Sequence, residues 1–196
     1  MINCMIAGVG GQGTVLASKL IAASAMEIGE NVRTTETIGM AQRGGSVVSH
    51  VRMGDTVNSP LVPLKSADII IAFEPAEAVR LTPYLADDGL IIVCDTPIKP
   101  VTDTLTGGNY EAAEVLSFLS ENAFNSVVLS GEEIISTLGA KVLNTAFLGA
   151  AAESGRFSFD ASVLENVIKN KMPERFLRIN LEAFNLGRKM YNERIK

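Results

Sequence analysis

Short apolar runs alternate with segments of helical periodicity along most of the chain, a pattern that predicts β/α units built on a largely parallel sheet. The first run, Met1 to Gly8, reads as a buried strand that passes at once into a glycine-rich turn. From Thr14 to Ile28, Leu16, Leu20 and Ala23 recur at helical spacing with Lys19 and Glu27 left for the outer side, and Gly29 supplies the stop. The segment NVRTTET from Asn31 predicts a strand, though one too polar for the middle of a sheet. Val47, Val51 and Met53 alternate with His50 and Arg52, which predicts a half-exposed strand ending in a Gly-Asp turn. The continuous apolar runs DIIIAF and LIIVCD predict strands covered on both faces, separated by a helix that Pro75 opens. SVVLS adds a short strand before the helical GEEIISTLG.

After Lys141 the pattern turns helical. Val142, Leu143, Ala146, Phe147 and Ala150 form one broad stripe, and Asp160 offers an N-cap to the next helix. Beyond Pro173, the residues Phe176, Ile179, Ala183, Leu186 and Met190 follow at three- and four-residue steps and predict a long terminal helix. The Thr-, Pro- and Gly-rich stretch from Thr96 reads as a loop entering a helix near Tyr110. The expected fold is therefore α/β: three-layered and Rossmann-like, a largely parallel sheet flanked by helices, with a helical C-terminal segment. All of 1–196 is expected to form a single domain, a length at which one core suffices.

Charge and composition narrow the function. A formal net charge of −5 excludes a broad nucleic-acid face, since neutralising phosphates needs a basic surface. The one cationic concentration, GRKMYNERIK, reads as a solvated helix end, where cations suit the dipole. No apolar stretch reaches the ~20 residues of a bilayer span, and the N-terminus lacks the basic region of a secretory signal, so a cytoplasmic protein without a membrane segment is expected. The two cysteines, Cys4 and Cys94, lie inside apolar runs and read as buried small hydrophobes; His50 has no second histidine with which to pair.

Two segments carry candidate chemistry. Gly8, Gly10 and Gly13 have the spacing G-x-G-x-x-G between a strand and a helix, the context in which helix N–H groups meet a phosphate. Glu36 lies about where a ribose-binding acid would stand. Against a dinucleotide, an additional Gly11 is followed by the bulky amide of Gln12 at the mouth of the helix beginning at Thr14. Glu36 leads into a polar loop in place of a second helix, and no later segment offers an obvious acid or base for hydride transfer. The second segment groups Gln42, Arg43, Gly44, Gly45 and Ser46, two flexible glycines beside a planar cation suited to a carboxylate or phosphate. These residues leave open an anion site, a packing turn, and a free-standing NAD(P)-binding or redox-sensing module.

Together, GVGGQGTVLASKLIAASA and TTETIGMAQRGGSVVSHVRMG closely resemble the small-subunit, or gamma-domain, family of the 2-oxoacid:ferredoxin oxidoreductases, and most of all its indolepyruvate-type beta subunits. The resemblance continues through DIIIAFEPAEAVR, LIIVCDT, KVLNTAFLGA and NLEAFNLG; the stretch from Thr96 to Leu129 is its least diagnostic part. It implies an oxidative decarboxylation in which an aryl 2-oxoacid reacts with thiamine diphosphate, electrons pass through iron–sulfur clusters to ferredoxin, and coenzyme A takes the acyl group. Two cysteines are too few for a Cys₄ cluster, and neither GDT at Gly54 nor CDT at Cys94 makes a convincing thiamine diphosphate–metal motif. The resemblance therefore puts thiamine diphosphate, magnesium and the clusters on a larger alpha subunit and leaves this chain no firmly bound cofactor. It assigns Gly8, Gly10, Gly11, Gln12, Gly13, Thr14, Glu36, Gln42, Arg43, Gly44, Gly45 and Ser46 to a cofactor-facing surface, with coenzyme A as the phosphate-bearing ligand, or else to an interface. The apolar stripes of the C-terminal helices exceed what one sheet face covers, which offers a surface to the alpha subunit or to a second copy in a homodimer.

Overall fold

The computed structural model describes residues 1–36, 45–98 and 110–195. Its six-stranded sheet has the order β2-β3-β1-β4-β5-β6, with β1 Ile2–Val9, β2 Asn31–Glu36, β3 Ser46–Gly54, β4 Ala67–Ala72, β5 Leu85–Cys94 and β6 Ser126–Leu129. The pairs β1–β4, β4–β5 and β5–β6 are parallel, and only β3 runs against its neighbours β1 and β2. The helices are α1 Thr14–Glu27, α2 Pro75–Leu81, α3 Ala112–Glu121, α4 Gly131–Leu138, α5 Leu143–Glu153, α6 Ala161–Lys171 and α7 Glu174–Arg194.

Three layers follow from the alternation of side chains along the strands. On one face Cys4, Ile6, Ile69, Ile71 and Ile92 pack with α1 and α4 to α7; on the other Met5, Ile70, Ile91 and Val93 pack with α2 and α3. The apolar runs of the parallel half are buried from Asn3 to Gly8, from Ile69 to Ala72 and from Gly89 to Cys94, as strands covered on both faces require. Strand β2 is polar because it is an edge. Strand β3 keeps the expected alternation but lies inside the sheet, between β2 and β1: Val47, Val51 and Met53 are buried, while His50 and Arg52 are partly covered by the chain after β3.

Two helix faces differ from their expected stripes. In α1 the buried side is Thr14, Ala17, Ser18, Leu20, Ile21, Ser24 and Ala25, and Leu16 is 41% exposed. Five small residues accompany Leu20 and Ile21 on that side, which lets α1 lie close against β3. In α7 the buried side is Asn180, Ala183, Phe184, Gly187, Met190 and Tyr191, with Phe176 44% exposed. The rotation has a cause in α5, which is buried along Leu143 to Ala152. A Cβ on Gly187 would sit inside the Ala146 carbonyl oxygen, and one on Gly149 inside that of Phe184, so the two helices touch backbone to backbone. Arg188 and Asn192 of α7 then reach Glu153 at the end of α5, with N–O distances of 2.6 and 3.0 Å. These two partners and the Arg188 charge hold the Glu153 carboxyl below its usual range.

Candidate functional site

The carboxyl ends of β1, β4 and β5 form one edge of the sheet. Helix α1 leaves β1 toward one face and α2 leaves β4 toward the other, so the β1–β4 junction is a switch point, where open α/β sheets bind ligands. The glycine turn and the start of β3 meet there: Ser46 pairs with Val9, and the Gly10 N–H donates to the Gly45 carbonyl at 3.0 Å. Sequence positions far apart are thus brought together as a single edge. Gln42, Arg43 and Gly44 lie outside the described residues.

Gln12 fills the crevice at this junction. Its Oε1 accepts from the Val9 N–H at 2.6 Å and its Nε2 donates to the Phe73 carbonyl at 2.9 Å, tying β1 to the end of β4. Gly8 is small for the same reason: a Cβ there would stand 2.6 Å from Gln12 Oε1 and 3.3 Å from Phe73. Gly13 has φ 82° and lies against Asn144 of α5, whose Nδ2 donates to the Gly13 carbonyl at 3.3 Å. Thr145 Oγ1 beside it donates to Asn180 Oδ1 at 2.6 Å, so a buried polar line runs from the turn to α7. Gly11, at φ 101°, has open space where a side chain would be.

What remains for a ligand is the opening of α1. Gly13 offers no side-chain cap and the first turn holds no acidic residue, so its N–H groups and dipole are uncompensated by side chains among the described residues. Glu36 is engaged one turn further along, where its Oε1 accepts from Ser18 Oγ at 3.1 Å. Ser46 Oγ donates to Glu77 Oε2 at 2.6 Å.

Glu74, Glu77 and Tyr110 were not among the expected site residues. Glu74, 2% exposed, caps α2 by accepting from the Glu77 N–H at 3.1 Å and also accepts from the Tyr110 hydroxyl, which itself accepts from the Ala76 N–H at 3.2 Å. Burial pushes the Glu74 carboxyl up, with the neighbouring Glu77 adding to the shift against its hydrogen bonds. Burial and Glu74 likewise raise the Tyr110 phenol. The E-P-x-E spacing is an N-cap, a proline at N1 and an acid at N3, a readable helix start, but burial of both acids follows only from the layer arrangement. Along the same edge, Asp95, Thr96, Leu116 and Glu132 line a recess of about 580 Å³ in which Asp95 accepts from the Gly131 N–H at 2.9 Å. With two carboxylates at its rim it is ill suited to an anion.

Neither cysteine is placed for redox chemistry. Cys4 and Cys94 lie on β1 and β5 with β4 between them, both fully buried. Burial raises both thiols, that of Cys94 to about 11. The residues present do not fit an iron–sulfur cluster, and no group of three His, Cys, Asp or Glu suited to a metal occurs among the described residues.

An apolar groove of about 600 Å³ opens beside the first turn of α1, lined by Leu16, Leu138, Val142, Met172, Phe176 and Ile179. The outward rotation of Leu16 and Phe176 supplies two of its walls.

An α/β chain of this build, with an uncapped helix opening at the switch point of its sheet, is Rossmann-like in form. The chain belongs to the pyruvate ferredoxin/flavodoxin oxidoreductase family, whose model matches residues 3–190. It is 36% identical to the indolepyruvate oxidoreductase subunit IorB of Pyrococcus horikoshii, over 97% of this chain and 96% of that one. To the common gamma subunit of the pyruvate/ketoisovalerate oxidoreductases of Pyrococcus abyssi it is 26% identical, over 94% of this chain and 96% of that one. A solved structure of 2-oxoglutarate:ferredoxin oxidoreductase from Magnetococcus marinus, with 2-oxoglutarate, coenzyme A and succinyl-CoA bound, has the same fold, with a TM-score of 0.73 and 22% identity. The match spans 98% of this chain and 31% of that longer one. Membership in this family disfavours the free-standing NAD(P) module, as does the Gln12 bracket across the crevice.

Proposed function

We propose that this chain is the small subunit of a cytoplasmic, ferredoxin-dependent oxidoreductase for aryl 2-oxoacids of the indolepyruvate type. The observation that carries the substrate class is the gap in identity: 36% to the indolepyruvate subunit against 26% to the pyruvate/ketoisovalerate subunit, at nearly equal coverage. Residues 1–196 act as one domain, a reading supported by a single family model spanning 3–190. Thiamine diphosphate, magnesium and the iron–sulfur clusters belong to a larger alpha subunit, which passes electrons to ferredoxin. The unsuitable cysteines of this chain support that division. No single helix among the described residues is long and apolar enough to cross a membrane.

At the carboxyl edge, the helix opening at Gly10 to Thr14, together with Arg43, holds a phosphate of coenzyme A; the Gly10 and Gln12 N–H groups are spent within the turn, on the Gly45 and Val9 carbonyls, so those of Gly11, Gly13 and Thr14 meet the phosphate. The uncapped, acid-free start of α1 supports this role. Gly8 and Gln12 shape the turn from behind, Glu36, Gly45 and Ser46 lie beside it, and Gln42 and Gly44 join Arg43 in binding the ligand. The apolar groove beside α1 is the surface for the alpha subunit, since a ligand held at the turn must face the chain that carries the chemistry.

Affinity purification of the tagged chain from native cells tests the assembly. A cysteine-rich, thiamine-binding partner should come with it, and the pair should reduce ferredoxin with indolepyruvate in preference to pyruvate. Recovery of a colourless homodimer alone would overturn the proposal. Within the complex, Arg43→Ala and Gln12→Ala should each weaken coenzyme A binding; unchanged affinity in both would remove coenzyme A from the turn.

A further inference from the structure

Glu77 is a buried carboxylate whose partners belong to two different parts of the molecule. It is 4% exposed and lies in the first turn of α2, on the face of the sheet opposite α1. Its Oε1 accepts from Arg80 Nη1 at 2.5 Å, and its Oε2 accepts from Ser46 Oγ at 2.6 Å. A carboxylate removed from water is costly unless its lone pairs are satisfied, and an O–H···O⁻ bond of this length is among the stronger neutral-to-ion contacts. The Glu77–Ser46 bond is therefore a firm attachment of β3 to α2.

That attachment lies one peptide from the glycine turn. Gly45, immediately before Ser46, presents the carbonyl to which the Gly10 N–H donates at 3.0 Å. Gly10 has no side chain with which to fix itself, and Gly11 beside it has open space around it at φ 101°. The Gln12 bracket holds the turn at Val9 and Phe73, and Asn144 holds it at Gly13. Between those two fixed points, the Gly45 carbonyl is the described contact on Gly10.

We infer that Glu77 is a positioning residue for the glycine turn: by fixing Ser46 it fixes the Gly45 carbonyl, and through it the direction of the N–H groups that open α1. The line Arg80, Glu77, Ser46, Gly45, Gly10 crosses from one face of the sheet to the other through the switch point. Ser46 thus serves the site through its carboxylate partner and not by touching the ligand. The kinetic consequence rests on the proposal that the turn holds a phosphate of coenzyme A; the positional consequence does not.

The experiment pairs two readouts on Glu77→Ala, Ser46→Ala and Glu77→Gln. In the full chain, amide hydrogen exchange followed residue by residue should show the Gly10 N–H exchanging at least tenfold faster in Glu77→Ala and Ser46→Ala. Glu77→Gln, whose amide oxygen still accepts from Ser46, should restore most of the protection. In the assembled enzyme, the same two alanine variants should raise KM for coenzyme A severalfold while KM for the 2-oxoacid stays put. Gly10 protection unchanged in both alanine variants would overturn the inference, as would an equal loss of protection throughout the chain, which marks a merely structural role. Faster exchange confined to the turn with KM for coenzyme A unmoved would uphold the positioning role and overturn the coenzyme A reading.

Discussion

Gln12 shows how a residue at the mouth of a phosphate-type turn can serve the fold. Its amide meets one donor and one acceptor of the backbone, Val9 N–H and the Phe73 carbonyl, with its carbonyl oxygen and its NH₂ group respectively. Gln12→Ala should cost about 1–3 kcal/mol, since two backbone groups lose partners in a half-covered site, and denaturant titration measures it. The G-x-G-x-x-G spacing was plain in the sequence, but this role was not, because Phe73 is 61 residues away. His50 makes a second residue-scale prediction. Half-buried, it accepts the Val62 N–H at Nδ1 at 3.2 Å, and burial lowers its pKa below the ordinary 6.5. The folded state thus binds this proton less readily than the unfolded one. The stabilisation is present above pH 6.5 and is lost as the pH falls through the lowered value. Replacing His50 by Gln should flatten that part of the stability–pH curve, as read from denaturant midpoints between pH 7.5 and 5.

Elements were legible where one pattern decides them. Four apolar runs became the strands β1, β4, β5 and β6, and the polar NVRTTE became an edge. Helix faces were less legible, because size misled: Leu16 and Phe176 point outward, while Ala17, Ser18, Ala183 and Gly187 point in. Close approach of backbones, which no periodicity reveals, selects small residues there. Replacing glycine by alanine inside a helix gains about 1 kcal/mol of propensity. At Gly187 and Gly149 a methyl group would overlap a carbonyl oxygen of the facing helix, which costs 1–3 kcal/mol or more. The clash should win, so each variant should unfold at lower denaturant than the parent. Gly155→Ala is the contrast: nothing stands near its Cβ, and its φ of 68° leaves only a backbone strain of about 1 kcal/mol. A drop at Gly155 larger than those at Gly149 and Gly187 would contradict the account of the α5–α7 contact.

For the whole molecule, the order of strands matters more than any motif. Placing β4 beside β1 puts Phe73 behind the turn and Glu74 at the junction, and sends α1 and α2 to opposite faces. Leu16 of α1 lines one groove with Met172, which ends α6, and Phe176, in the first turn of α7, so the groove lies beside the open end of α1. The chain's own net charge of −5 supplies no long-range steering toward an anionic ligand, so an anion at the turn depends on the local N–H groups. If the groove is the seat of the alpha subunit, its exposed aromatic should be an anchor of that interface, and anchors of this type are worth about 2 kcal/mol or more when lost. Phe176→Glu and Leu16→Glu each place a charge in that surface without touching the core, since both side chains are more than 40% exposed. The isolated variants should therefore melt close to the parent chain, while co-purification of the alpha subunit falls about thirtyfold or more. A variant that melts normally and still recovers the full complement of alpha subunit would show that the partner sits elsewhere, and the groove would lose its assignment.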